Sequence, residues 1–158
     1  MGLDITAYSN LVKVQRELSE TDQESGLFIR ICAHRAWPGR EAGLEPDAFY
    51  IGRDELKFSA GSYGGYGEWR RWLARLAGYG SPQDLWEGRV TSGPFFELIN
   101  FSDCEGTIGP VVAKKLAADF AEFDDRAKAA GPEWEYDRYK RWRTAFEMAS
   151  DSGAVDFH

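Results

Sequence analysis

The hydrophobic period of this chain changes near residue 60, and the change confines it to folds that join a sheet to helices. Ahead of that point the apolar residues alternate. Leu3, Ile5 and Ala7 alternate with Asp4 and Thr6 over residues 3–8, and Leu27 to Ala33 sets Leu27, Ile29 and Ile31 on one face. Shorter strands are expected at 48–51 and 55–60, where Leu56 and Phe58 alternate with Lys57 and Ser59. Leu11 to Leu18 fits neither period, and Glu17 to Glu24 reads as an acidic exposed loop. Pro38, Gly39, Gly43 and Pro46 make 34–46 irregular.

Beyond residue 60 the spacing turns helical. Trp69, Trp72, Leu73 and Leu76 form one stripe over Glu68 to Ala77, ended by Gly78 and Gly80. Phe95 to Phe101 reads as an apolar strand. Pro110, whose missing N–H costs nothing in a first turn, opens a helix to about Lys128 with Val112, Leu116, Phe120 and Phe123 inward. A final helix, about Pro132 to Ser150, carries Tyr139, Trp142, Phe146 and Ala149, and Gly131-Pro132 between the two predicts an antiparallel hairpin. Residues 151–158 read as a tail. With no repeat, low-complexity block or domain-scale linker, the expectation is one α+β domain over 1–158. It has a small antiparallel or mixed sheet packed against about three helices in the C-terminal half.

Composition removes several classes of function. The 158 residues suit one domain, and 43% hydrophobic with 28% charged residues is globular rather than disordered. No apolar run approaches the roughly 20 residues that cross a bilayer. MGLDITAYSN shows no secretory signal, so a cytoplasmic protein is expected. Met1 to Thr6 matches an N-myristoylation pattern, but its alternation suits a first strand and no basic cluster follows. A net charge of −7, from 26 acids against 19 Lys and Arg, disfavours nucleic acid and anionic membranes and leaves room for a local basic pocket. Arg138 to Arg143 interleaves bases with Tyr139 and Trp142, yet helical periodicity already turns those rings to the core. An acidic DNA mimic would need a continuous acidic face, which the interspersed bases break. Cys32 and Cys104 are expected as thiols, and two histidines, His34 and His158, build no zinc framework. No cofactor is expected.

Two segments carry candidate chemistry. Gly61-Ser62-Tyr63-Gly64-Gly65-Tyr66-Gly67, followed by Glu68-Trp69-Arg70-Arg71, sets four glycines between an expected strand and an expected helix. Glycine lets backbone N–H groups approach a ligand, and a helix N-terminus adds free N–H groups and a positive dipole end. Phosphate would be held by the Gly61–Gly67 amides with Arg70 and Arg71, and Tyr63 and Tyr66 would stack on a base. No Gly-Lys-Ser/Thr completes a Walker loop, and Arg70 replaces the third glycine of a dinucleotide fingerprint. An ordinary turn with surface tyrosines and a solvated arginine face uses the same residues.

The second segment runs from Gly93 to Pro110 and ends in a polar cluster ahead of a helix. Asn100, Ser102, Asp103 and Glu105 suit hydroxyls, base amino groups or a hard cation. Simpler roles are open to them: Thr107 as a cap, Asp103 and Glu105 as dipole partners, Asn100 as a turn former. Glu97 inside an apolar strand needs a partner, with Arg70 and Arg71 as candidates. Cys104 with His34 and a carboxylate is the one Cys–His arrangement on offer. A buried cysteine and a surface histidine explain those two residues equally.

At Met1-Gly2-Leu3-Asp4-Ile5, Gly61–Arg71 and Phe95–Pro110 the chain resembles a group of small proteins of bacteria and their phages that has no assigned activity. The resemblance carries over no catalytic residue. Its phage setting implies an accessory, counter-defence protein that captures a bacterial nucleotide signal. The leading expectation is noncatalytic binding of a small polar anion, a nucleotide above all. The alternatives are a small hydrolase using Glu97, Asp103 and Glu105, and a protein–protein interaction module; self-association is left open.

Overall fold

The computed structural model describes residues 2–15, 20 and 27–158. Strand β1 (Gly2–Ser9) starts with alternating burial and then loses it, since Ile5 to Ser9 are all buried. A strand keeps one solvated face only where a sheet is covered on one side, and β1 is enclosed. It pairs antiparallel with β5 (Asp54–Ser62) on one edge and β7 (Ala154–Phe157) on the other, and β7 pairs with β6 (Gly106–Ile108). A second antiparallel sheet places β4 (Phe49–Ile51) between β2 (Val12–Lys13) and β3 (Phe28–Arg30).

The helices follow the apolar stripes: α1 (Tyr63–Leu76), the short α2 (Pro82–Trp86) and α3 (Phe96–Ile99), then α4 (Pro110–Glu122), α5 (Asp124–Ala130) and α6 (Glu133–Ala149). Stripes from α1, α4 and α6 meet Leu3, Ile5, Ala7, Val155 and Phe157 of the large sheet in the main core. Trp69 of α1 and Trp142 of α6 stack 4.9 Å apart at 13°, with Tyr66 6.0 Å from each. On the opposite face Tyr8 and Ala154, register partners, join Ile29, Ile31 and Tyr50 of the small sheet. The fold is α+β, with antiparallel sheets and most of its helix in the C-terminal half. Among the described residues no helix is long and apolar enough to cross a membrane.

Several elements differ from the sequence expectation. Residues 151–158 are no tail: they supply β7, a central strand. Its approach is so close that a β-carbon on Gly153 would stand 1.9 Å from the Tyr8 carbonyl oxygen. Asp4 and His158 exchange two backbone hydrogen bonds, at 2.9 and 3.0 Å. The Phe95–Phe101 strand is instead the short helix α3. Phe95 takes a left-handed conformation (φ 57°), its buried amide donates to Asp119 Oδ2 at 2.9 Å, and Phe95, Leu98 and Ile99 bury at helical spacing. The helix expected from Pro110 to about Lys128 breaks at Phe123 into α4 and α5. Leu27 to Ala33 is a strand only over β3, although Ile31 stays buried. Expectations for Leu11–Leu18 beyond residue 15, and for Glu17–Glu24 apart from residue 20, lie outside the described residues.

Thr6, Asp156 and Thr107 lie side by side across β1, β7 and β6. Thr107 Oγ1 donates to Asp156 Oδ1 at 3.2 Å and accepts from the Cys32 amide at 2.9 Å. Burial pushes the Asp156 carboxyl up from 3.8 to about 7, with the Thr107 hydrogen bond working against it. The folded value exceeds the unfolded one, so the native state holds a proton that the unfolded chain releases. Stability from this group is full below about pH 4 and is lost as pH rises to about 7. Urea unfolding of wild type and Asp156→Asn is expected to show the variant gaining on wild type by on the order of a few kcal/mol across that window. Curves that stay parallel from pH 4 to 8 would contradict this.

Candidate functional site

Arg70 joins the two segments that the sequence singles out. The glycine segment is a strand end, a cap and a first helical turn, with no free loop between them. Gly61 (φ +96°) is the penultimate residue of β5, close to where its register with β1 shifts, between Leu3 and Asp4. Ser62 caps α1, its Oγ accepting from the Gly65 amide at 3.1 Å. The helix therefore begins five residues earlier than its apolar stripe indicates.

This geometry scatters the expected phosphate set. Tyr63 is exposed on the first turn, whereas Tyr66 is wholly buried against Trp69 and Trp142, and burial pushes its hydroxyl well up. Arg71 pairs with Glu68 at 2.7 Å on the surface. Gly64 is exposed, while Gly61 and Gly65 line a groove of about 420 Å3 with Arg138, Arg141 and Trp134. There Arg138 Nη2 donates to the Ala60 and Gly65 carbonyls at 2.8 and 3.2 Å, fastening α6 to the β5–α1 junction.

Arg70 points into the protein instead. Its Nη1 donates to the Phe101 carbonyl at 3.2 Å and, more weakly, to that of Ile99 at 3.5 Å. Its guanidinium lies 4.7 Å from the Tyr66 ring and 4.9 Å from the Trp86 ring. Nη2 faces Asp103 Oδ2 at 3.6 Å. Arg70, Asp103, Trp37, Trp86 and Phe101 line a cleft of about 340 Å3.

The polar cluster is largely spent on building that cleft. Asn100 Oδ1 accepts from Trp37 Nε1 at 3.2 Å, and its carbonyl accepts from Arg40 at 3.0 Å. Trp86 Nε1 donates to the Ile99 carbonyl at 3.0 Å. Buried Ser102 turns the chain, its Oγ accepting from the Cys104 and Glu105 amides at 3.2 and 3.0 Å. Glu105 is exposed. Thr107 is a β6 residue and caps no helix; Gly109 holds that place before α4.

Glu97 belongs to a different cluster. Its partner is Lys115 at 2.7 Å, which also holds Asp119 at 2.7 Å, and neither Arg70 nor Arg71 reaches it. Among the described residues no group of three His, Cys, Asp or Glu side chains could hold a metal ion. Cys104 is exposed with its thiol 3.5 Å from the Ser102 hydroxyl, while His34 accepts from the Ala36 amide and packs on Trp37. Among the described residues no contact joins the two. Burial, aided by the charges of Glu105 and Asp156, pushes the Cys32 thiol up, away from a reactive thiolate.

Trp37 and Trp86 are the site residues that sequence reasoning missed. The signal available for them is a tryptophan outside all three apolar stripes, with Pro38 next to Trp37 and Gly88 two residues after Trp86. Comparison with protein-family models, with curated proteins and with solved structures finds no match.

Proposed function

We propose that this protein binds a small polar anion of the nucleotide class in the Arg70–Asp103 cleft and releases it unchanged. One observation carries the reading: a guanidinium and a carboxylate face each other 3.6 Å apart in a cleft walled by Trp37, Trp86 and Phe101. Indole walls suit a planar ring, and the charged pair offers a donor and an acceptor to its edge. The volume, about 340 Å3, falls within the range of small-molecule sites. No histidine or cysteine lines the cleft, so proton transfer there would rest on Asp103 alone. In a cytoplasmic phage-accessory setting, such binding sequesters a nucleotide signal.

Two cleft walls are tryptophans, so intrinsic fluorescence reads binding directly. Wild type is expected to show a saturable change with a nucleoside monophosphate, and Trp86→Ala a weaker affinity, because its indole walls the cleft. The ligand freed by denaturation is expected intact. A cleaved product absent from a heat-killed control would replace binding by hydrolysis. Flat titrations beside a stoichiometric protein partner would replace it by an interaction module. Equal affinity for nucleoside and nucleotide would remove the anion from the reading.

A further inference from the structure

Resting on that nucleotide reading, we propose that the base taken by the cleft is guanine. Asp103 meets Arg70 as an ion pair only: among the described residues no hydrogen bond reaches its oxygens, and 3.6 Å to Arg70 Nη2 is too long for one. Arg70 has spent Nη1 on two carbonyls, while Nη2, the nitrogen that faces Asp103, has no acceptor within hydrogen-bond distance among the described residues. The side chain is 9% exposed, so water does little to relieve it. A guanidinium nitrogen without an acceptor thus stands beside a carboxylate that accepts no hydrogen bond.

A ligand that satisfies both presents one acceptor next to two parallel N–H donors. Guanine has that edge, with O6 beside N1–H and N2–H; the two donors match the carboxylate fork and O6 meets the guanidinium. Adenine offers one N–H there and sets the N1 lone pair against a carboxylate oxygen. Cytosine and uracil each bring a single N–H at that edge. Stacking on Trp37 and Trp86 favours every base and discriminates little, so the edge decides. A site that hydrogen-bonds a donor rejects analogues lacking it, because its own polar group is left unpaired.

Calorimetric titration of wild type with GMP, IMP, AMP, CMP and UMP tests this. GMP is expected to bind about tenfold or more tightly than AMP, CMP or UMP, with IMP, which lacks the N2 donor, in between. Asp103→Asn presents one acceptor and one donor, the pattern that suits adenine. The GMP-to-AMP preference is therefore expected to fall about tenfold or more. The substitution also removes the carboxylate that faces buried Arg70, so its melting temperature is expected to fall by about a few degrees and both titrations are run well below it. AMP, CMP or UMP binding as tightly as GMP, or an unchanged preference in Asp103→Asn, would overturn guanine while leaving the cleft a nucleotide site. No heat with any of the five would overturn the nucleotide reading itself.

Discussion

Truncation after Gly153 is expected to abolish cooperative folding. The four residues of β7 lie between β1 and β6, so their loss opens one edge of β1 and strips β6 of its sheet partner. Val155 and Phe157 leave the main core with them. Burying two such side chains contributes about 1.5–3 kcal/mol each, before any ladder hydrogen bond is counted. A domain whose whole stability is about 5–15 kcal/mol has little left after that loss. Circular dichroism during urea unfolding is the measurement; wild type should show a sigmoid and the truncated chain a drift. A truncated chain that melts within a few degrees of wild type would mean β7 is dispensable.

Arg70→Ala and Arg71→Ala are expected to separate sharply, although the residues are adjacent. Removing the Arg70 side chain leaves the Phe101 carbonyl without its donor and takes a cation from between Tyr66 and Trp86. An unpaired buried acceptor costs about 1–3 kcal/mol and each ring contact adds about 0.5–1. The sum, about 3 kcal/mol, lowers the melting temperature by roughly 6–12 °C in a domain of this size. Arg71 gives up only an exposed ion pair with Glu68, so its variant should melt within a degree or two of wild type. Equal shifts in the two variants would contradict the placement of Arg70. The same contrast explains why Asp103 is the residue on which to test ligand choice.

Legibility varied with the length of the pattern. The α6 stripe spans three turns, and Tyr139, Trp142, Phe146 and Ala149 are all fully buried as periodicity indicates. Val155-Asp156-Phe157 alternates for three residues only, too short to stand out from a tail, and its partner strand is at the other end of the sequence. FFELINF satisfies both periods; Asp119, far along the chain, tips it to a helix by bonding the Phe95 amide. Within the site, Arg70 and Asp103 were legible as chemistry-bearing residues. Their meeting was not, because it depends on where α3 turns the chain. The alternative reading of Arg70 as part of a solvated arginine face is the one the structure replaces, because Tyr66 and Trp86 enclose its guanidinium.

The closure of the large sheet by its most distant strands sets a clock on biosynthesis. Thr6 and His158, 152 residues apart, share a hydrogen bond at 2.9 Å beside the β1–β7 ladder. On a ribosome extending at about 5–20 residues per second, β1 waits on the order of ten seconds or more for its second partner. It can meet β5 much earlier, but the edge that Ile5 to Tyr8 present to β7 has no strand partner until then. Such an edge recruits other strands until β7 covers it. Cotranslational chaperone capture, and aggregation when synthesis stalls in α6, are the vulnerabilities that this topology builds into the nascent chain.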